Sequence, residues 1–150
     1  REYHYFIHFR KDPFCEKYSY RMRHPLDIGK MNEAAAYLLG EHDFRCFEKT
    51  GGNNLTSVCT VTEAVWSTYR PTHIEMMGMD CGEGDYIVFR IKANRFLRNM
   101  VRAIVGSLIE VGRGKRSPEW IAELVAEGTR SDAGSSVPGN ALFFSGAAYK

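Results

Sequence analysis

The fold of this chain is decided by the stretch Lys92-Ala-Asn-Arg-Phe-Leu-Arg-Asn-Met-Val-Arg-Ala-Ile-Val-Gly106, in which a strand passes into a helix. Just before it, the run Tyr86-Ile-Val-Phe-Arg-Ile91 has the composition of a half-buried strand. The spacing after it predicts a helix over 96–111 that ends at Gly112. Its apolar residues recur at the spacing of one continuous helical stripe, which we expect to face the core: Met100, Val101, Ile104, Val105, Leu108 and Ile109.

Three arginines interrupt this apolar helix. Arg95, Arg98 and Arg102 are three and four residues apart, so they are expected to share a second face, with Arg95 and Arg98 in or near the first turn. Cations there oppose the positive end of the helix dipole, at a cost of roughly 0.3 to 1 kcal/mol each. An anionic partner, phosphate or carboxylate, would offset that cost. The alternative is a solvated arginine face whose aliphatic stems cover apolar neighbours.

Length and composition indicate a single globular domain. The chain has 150 residues and 44% hydrophobic content, and no apolar run approaches the ~18 residues that a membrane span needs. No signal or transit peptide is visible, so we expect a cytoplasmic protein without a membrane partner. The chain lacks a starting Met and opens on Arg1 within a predicted strand. We therefore expect a fragment whose upstream part has been removed.

Cysteine and histidine spacing argues against a metal site. The four cysteines contain no C-x-x-C pair, and none of the five histidines has a partner at ligand spacing. We expect reduced thiols and no metal. The net charge is only +2, although basic residues cluster near the start and after the predicted helix. Such clusters permit a nucleic-acid partner without requiring one.

The first half of the chain predicts a strand, a helix and a turn. Residues 2–10 are aromatic and β-prone, which is typical of a central strand. Asp27 is placed to cap a helix over 28–39 that ends at Gly40. A Gly- and Asn-rich turn is expected at 51–54.

The second half alternates strands with helices. Three apolar runs are expected to form an antiparallel meander: 58–68, 72–79 and 86–93. Ser117 is placed to cap a further helix that ends at Gly128, followed by a loop over 129–140 and a last strand over 141–149. The elements together predict an α+β domain with helices packed on one face of a mostly antiparallel sheet.

Four segments resemble the C-terminal half of the tRNA pseudouridine synthase A family. They are the junction stretch followed by Val111-Gly112, Leu38-Leu-Gly-Glu-His-Asp-Phe44 with Phe47, Arg1-Glu-Tyr-His-Tyr5, and Ala141-Leu-Phe-Phe144. They occur in the family's order along nearly the whole chain, and the first two are the most specific. The resemblance implies half of a pseudouridine synthase catalytic domain, in an enzyme that isomerises uridine in the anticodon arm of tRNA. It also implies a homodimer that binds tRNA across both subunits, and no metal or organic cofactor.

The resemblance assigns three residues to a uridine pocket. Tyr3 matches the aromatic residue that packs against the target uracil, and Leu142 matches the apolar residue on the other side of the base. Arg102 matches the arginine that pairs with the catalytic aspartate and keeps it ionised. Asn94, Arg95 and Arg98 are expected near the RNA backbone. A core tyrosine and a buried strand leucine would give the same residues at positions 3 and 142.

The nucleophile that the resemblance implies is not in this chain. In the family it is an aspartate of an Arg-Thr-Asp-Ala-Gly-Val-His motif in the N-terminal half, and whether it attacks the sugar or the base stays open. Arg130-Ser-Asp-Ala-Gly134 is similar to that motif. It follows the 117–128 helix, where the family has a variable loop, and it lacks the Val-His continuation. We therefore expect Asp132 to form a loop turn rather than to act as the nucleophile.

Two other functions are compatible with these residues. The chain could be a non-catalytic RNA-binding module that uses the same basic and aromatic face. It could also be a structural or protein-interaction domain whose arginines meet carboxylates. The first interpretation, a catalytic-domain fragment that lacks its nucleophile, predicts that the chain alone is inactive.

Overall fold

The strands and helices of the chain form one α+β unit. The computed structural model describes residues 1–49 and 56–146. Within them, six strands form one mixed sheet: β1 (Glu2–His8), β2 (Tyr20–Arg21), β3 (Gly40–Asp43), β4 (Val58–Thr68), β5 (Tyr86–Ala93) and β6 (Leu142–Gly146). The described residues also form four α-helices: α1 (Ile28–Ala36), α2 (Thr72–Met76), α3 (Met100–Gly112) and α4 (Glu119–Glu127). The predicted α+β class is confirmed.

Strand β1 lies inside the sheet, as its aromatic sequence predicts. The strand order is β2-β1-β5-β4-β3, and β6 also pairs with β1. β1 pairs with β5 along its whole length, while β2 and β6 share its other edge. The β1–β2 pair is parallel and the other described pairs are antiparallel. The first and last described strands are therefore neighbours, and Tyr3 lies opposite Phe144.

Alternate side chains of β1 and β5 enter the core that they share with α1, α3 and α4. Five of them are completely buried: Tyr5, Ile7, Ile87, Phe89 and Ile91. The ring of Phe6, which points to the other face of β1, contacts Tyr69 and Phe143 with centroid distances of 5.6 and 5.8 Å. The helical core therefore covers one face of the sheet.

The predicted helix boundaries hold only in part. Asp27 caps α1, because its Oδ1 accepts a hydrogen bond from the Lys30 N–H at 3.0 Å. The helix ends at Ala36 rather than at residue 39, and β3, which the sequence analysis missed, begins at Gly40. Helix α4 begins at Glu119, with Pro118 rather than Ser117 at the capping position. The predicted turn at 51–54 and the end of the last strand at 147–149 lie outside the described residues.

The strand predicted over 72–79 is wrong. Its first half is the short helix α2, preceded by Pro71, whose fixed φ of −60° suits the entry to a helix. Gly78 then reverses the chain with a φ of +64°, a conformation that favours glycine. Only Ile74 of this helix is buried, so the segment has no buried face for a strand. Consequently β4 pairs directly with β5, and two of the three predicted meander strands remain.

The predicted start of the central helix is also wrong. Helix α3 begins at Met100, and Asn99 before it has a φ of +68°, which asparagine tolerates better than most residues. The preceding segment is held by bonds to other parts of the chain: Asn94 N–H donates to Thr60 O, and Lys49 N–H donates to Arg98 O, both at 3.0 Å. Arg95 and Arg98 therefore lie before the helix rather than on a helical face with Arg102. Arg102 is the arginine that occupies the first turn.

Helix α3 is buried on almost every side, beyond the stripe that the sequence predicts. Apart from Arg102 and Glu110, which are half-buried, all its residues are buried. A Cβ at Gly106 would overlap the carbonyl oxygen of Ser135, and one at Gly112 would overlap the Met31 side chain. The loop around residue 135 therefore lies directly on the helix backbone. No helix in residues 1–49 and 56–146 is long and apolar enough to cross a membrane.

Replacement of Gly106 by alanine should destabilise the fold by about 3 kcal/mol, because the new methyl group must displace a backbone carbonyl. Urea unfolding monitored by circular dichroism measures the change. Gly139→Ala is the matched control, because its Cβ would meet only the Arg102 side chain at 3.6 Å or more. Equal urea midpoints for the two variants would contradict the close approach of the loop around residue 135 to the α3 backbone.

Asp12 makes the fold sensitive to acid. Burial alone would raise the pKa of its carboxyl, but hydrogen bonds from Tyr86, His73 and the Phe14 N–H lower the pKa from 3.8 to about 2. This lowered pKa contributes stability that is fully present above pH 4 and is lost as the pH falls towards 2, about 2 kcal/mol in all.

Asp12→Asn should therefore lower the free energy of unfolding at pH 7 and make it less dependent on pH between 4 and 2. Urea titrations across that range measure both effects. Asp43→Asn, which removes a more exposed carboxylate, is the control. A pH dependence that is unchanged in Asp12→Asn would show that this carboxyl is not the acid-sensitive group.

Candidate functional site

A cavity of about 430 Å³ opens where β1 and β6 meet the beginning of α3. Three residues that the resemblance assigns to the uridine pocket, Tyr3, Arg102 and Leu142, line this one cavity although they are far apart in sequence. Arg98 lines it as well. The sheet supplies Tyr3 and Leu142, and the first turn of α3 supplies Arg102.

Two aromatic neighbours fix the ring of Tyr3. The Phe96 ring meets it at 5.0 Å with an interplanar angle of 88°, and the Phe144 ring meets it at 5.4 Å with an angle of 69°. Such T-shaped contacts favour one ring orientation. Tyr3 is half-buried, so part of its ring, oriented by these two contacts, is exposed to the cavity. A planar base can stack on a surface of this kind.

The guanidinium of Arg102 is oriented by the chain that crosses α3. Its Nε–H donates to the Val137 carbonyl at 2.7 Å, and the Val137 N–H donates in return to the Arg102 carbonyl at 3.2 Å. The two terminal nitrogens make no hydrogen bond or ion pair within the described part of the chain. Arginine can bind a carboxylate through two parallel N–H bonds, so these nitrogens are hydrogen-bond donors that a carboxylate can accept from.

The segment that holds Arg102 is itself tied down on several sides. The buried Tyr5 hydroxyl donates to the Pro138 carbonyl at 2.7 Å, and burial raises the pKa of Tyr5. Ser136 Oγ accepts from the side-chain amide of Asn99 at 2.6 Å and from Arg130 Nη2 at 2.8 Å. These hydrogen bonds fix residues 136–138, which in turn hold the Arg102 guanidinium in position.

The cavity carries an excess of positive charge. Lys49, Arg98 and Arg102 line it, and none of its described lining residues is acidic. The N-terminus of α3 adds the positive end of the helix dipole. The sequence analysis missed Lys49, which closely follows the Phe47 of the second matching motif. The arrangement favours an anionic ligand.

Asn94 and Arg95 do not line this cavity. The Asn94 side-chain oxygen accepts from the Thr60 N–H at 2.8 Å. Arg95 Nη1 donates to the carbonyls of Thr56 and Val58, both at 3.0 Å. Both side chains therefore connect the junction to the start of β4, and contact with RNA stays a prediction for them.

The motif around Asp132 forms a turn away from the cavity. The backbone N–H and the hydroxyl of Thr129 donate to Asp132 Oδ2 at 2.8 and 3.0 Å, and these bonds lower the pKa of the exposed carboxyl. Arg130 of the same motif donates to the Gly134 carbonyl at 2.9 Å. The motif thus braces the loop that supports Arg102, while Asp132 is not among the residues that line the cavity.

Burial keeps two of the cysteine thiols protonated, and the described residues offer no metal site. Burial raises the pKa of Cys15 and Cys46 to about 12, so both thiols are protonated at neutral pH. In residues 1–49 and 56–146, no three His, Cys, Asp or Glu side chains come together as metal ligands.

Known proteins match this chain over most of its length. The family model described as tRNA pseudouridine synthase matches residues 34–150. The chain belongs to this family. Within it, the tRNA pseudouridine synthase A of Bacteroides fragilis is 44% identical over 144 residues, which are 95% of this chain and 52% of that protein.

Two further relatives match a similar share of this chain and of their own length. The tRNA pseudouridine synthase A of Bacteroides thetaiotaomicron is 44% identical over 95% of this chain and 49% of its own length. The tRNA pseudouridine synthase A 2 of Clostridium perfringens is 41% identical over 95% of this chain and 53% of its own length. The resemblance inferred from the sequence motifs is confirmed. The chain spans about half the length of the curated relatives it matches.

Arg130→Ala should destabilise the fold by about 2 kcal/mol, because it removes two hydrogen bonds from a charged donor to the loop. Asp132→Ala, two residues away, should cost less because that carboxyl is exposed. Urea unfolding of both variants measures the difference. A larger loss in Asp132→Ala would contradict the bracing attributed to Arg130.

Proposed function

We propose that this chain is the C-terminal half of the catalytic domain of a tRNA pseudouridine synthase that converts uridine to pseudouridine in the anticodon arm. The observation that carries the proposal is the meeting of Tyr3, Arg102 and Leu142 at one basic cavity. A uracil base inserted between the Tyr3 ring and the Leu142 side chain has an aromatic surface on one side and an apolar surface on the other.

Arg102 acts on the nucleophile rather than on the base. Its terminal nitrogens bind the carboxylate of an aspartate, which keeps the pKa of that aspartate low and fixes its orientation. The Val137 carbonyl holds the guanidinium through Nε and leaves those nitrogens for the carboxylate. A lysine at this position could not make the three bonds in the same geometry.

The nucleophilic aspartate comes from an N-terminal half that precedes this chain in the intact enzyme. Its attack, on the sugar or on the base, lets the bond between the sugar and N1 of uracil break. The base then turns and bonds to the sugar through C5, and the bond to the aspartate breaks, which regenerates the carboxylate. The C5 hydrogen leaves as a proton, and N1 gains one. No metal or organic cofactor takes part in these steps.

The intact enzyme is proposed to be a cytoplasmic homodimer that binds tRNA across both subunits. A non-catalytic RNA-binding module is the second candidate. It is favoured by the lack of a carboxylate among the described residues that line the cavity. The two candidates differ in what happens when an N-terminal half with an aspartate is present.

Tritium release from tRNA that carries uridine tritiated at C5 separates the candidates. The chain alone should release none, and the chain joined to its N-terminal half should release tritium. Release by the chain alone would overturn the proposal that the nucleophile lies upstream, and Asp132→Ala would then be the variant to test. Binding of tRNA without release in both samples would favour the non-catalytic module.

In the joined protein, Arg102→Lys should lower kcat by about 100-fold or more, since lysine keeps the charge but loses the two parallel hydrogen bonds to the carboxylate, each of which contributes roughly 1.5 to 3 kcal/mol. Arg45→Lys is the control, because Arg45 is exposed and pairs with Asp43. Thermal unfolding checks that both variants fold. An Arg102→Lys enzyme with unchanged kcat would contradict the pairing.

A further inference from the structure

A second basic cavity, of about 660 Å³, lies behind the loop that supports Arg102. Four cations line it: Arg21, Arg23, Arg113 and Lys115. Among its described lining residues Glu110 is the sole carboxylate, and its Oε1 is 3.9 Å from Arg116 Nε. The cavity therefore has a strong excess of positive charge.

The four cations have no carboxylate partner within residues 1–49 and 56–146. Arg21, Arg23, Arg113 and Lys115 form no ion pair there, whereas other arginines on the surface do, such as Arg45 with Asp43. The Nε atom of Arg21 is buried and makes no hydrogen bond to any described residue. Like charges brought together without counter-charges repel one another, and an anionic ligand would remove that repulsion.

The helix dipole explains only part of this cluster. Arg113 and Lys115 follow α3, where the negative end of the dipole stabilises cations. Arg21 and Arg23 come from β2 and the segment after it, and the pairing of Arg21 with His8 holds them beside the end of α3. Cations from two distant parts of the chain thus converge on one cavity.

The two cavities share a wall. Val137, which holds Arg102 at the first cavity, lines the second together with Pro138. Along the axis of α3, Arg102 and Arg113 are separated by roughly 16 Å, at 1.5 Å per residue. This separation is within the reach of one RNA strand whose target nucleotide occupies the first cavity.

We propose that the second cavity binds phosphate groups of the RNA backbone next to the nucleotide held by Tyr3, Arg102 and Leu142. The proposal rests on the proposed function for the choice of RNA as the polyanion. Guanidinium and ammonium groups are the usual ligands of backbone phosphates, and they hold the strand without reading its sequence. Ser135 also lines the cavity, and a serine hydroxyl can donate to a phosphate oxygen.

The salt dependence of tRNA binding tests the proposed phosphate site in the second cavity. The triple variant Arg23→Gln, Arg113→Gln, Lys115→Gln removes three exposed charges and leaves the half-buried Arg21 in place. The slope of log K against log salt concentration should fall by about 2, because each lost phosphate contact removes roughly 0.7 to 0.9. Affinity at low salt should fall about tenfold or more.

The matched control is Arg45→Gln, Arg70→Gln, Arg90→Gln, which changes the net charge equally. These three arginines are exposed and pair with Asp43, Glu75 and Glu63. The control should keep the wild-type salt slope. Equal slopes in the two triple variants, with circular dichroism spectra showing that both fold, would overturn the proposal.

Tritium release by the joined protein separates this inference from the proposed function. If the wild type releases tritium and the cavity variant has the same KM and salt slope as the control, the phosphate site is refuted and the enzymatic function stands. If the wild type binds tRNA but releases no tritium, the enzymatic function fails, and the difference in slope still decides the phosphate site. Wild-type protein that does not bind tRNA would refute both.

Discussion

The close approach between α3 and the loop around residue 135 constrains the rest of the molecule. The Ser135 carbonyl lies where a side chain at position 106 would be, so the helix is enclosed by the loop as well as by the sheet and α1. A helix enclosed in this way must be apolar around most of its circumference, as α3 is. The arginine in its first turn must then be satisfied by the enclosing loop, and Val137 does this.

The same enclosure affects the electrostatics of the cavity at Tyr3. In the first turn of α3 the dipole disfavours a cation, and Lys49 and Arg98 add two like charges to the cavity that Arg102 lines. Carbonyl groups such as that of Val137 fix the direction of the guanidinium, but they do not neutralise its charge. The fold therefore tolerates a local conflict that an anion would relieve, which is common where binding takes precedence over stability.

The sequence predicted the parts of the fold that depend on local patterns. The α+β class, the central position of β1 and the cap at Asp27 follow from composition, alternation and a single side-chain bond. The start of α3 could not be predicted, because Asn99 takes a left-handed conformation and the preceding residues bond to Thr60 and Lys49, far away in the sequence. The strand prediction for residues 72–79 was wrong because a short apolar run does not distinguish a strand from a short helix.

The candidate site was predicted in a different way. Neither periodicity nor spacing connects Tyr3, Arg102 and Leu142, and only the family resemblance indicated them together. Lys49 was missed because its place at the cavity depends on tertiary structure, through its bond to the Arg98 carbonyl. The burial of α3 beyond its predicted stripe depends likewise on a loop crossing that no helical pattern encodes.

The pairing of β1 with β6 also constrains the order in which parts of the domain can fold. The Tyr5 hydroxyl and the Pro138 carbonyl are 133 residues apart in sequence, and contacts of such separation form late because a long loop must close first. During synthesis on the ribosome, the β1 edge that β6 will cover stays unpaired until residues 142–146 emerge. The cavity at Tyr3 is thus completed only after residues 142–146 have been synthesised, and until then the unpaired aromatic edge of β1 can pair with other chains or bind chaperones.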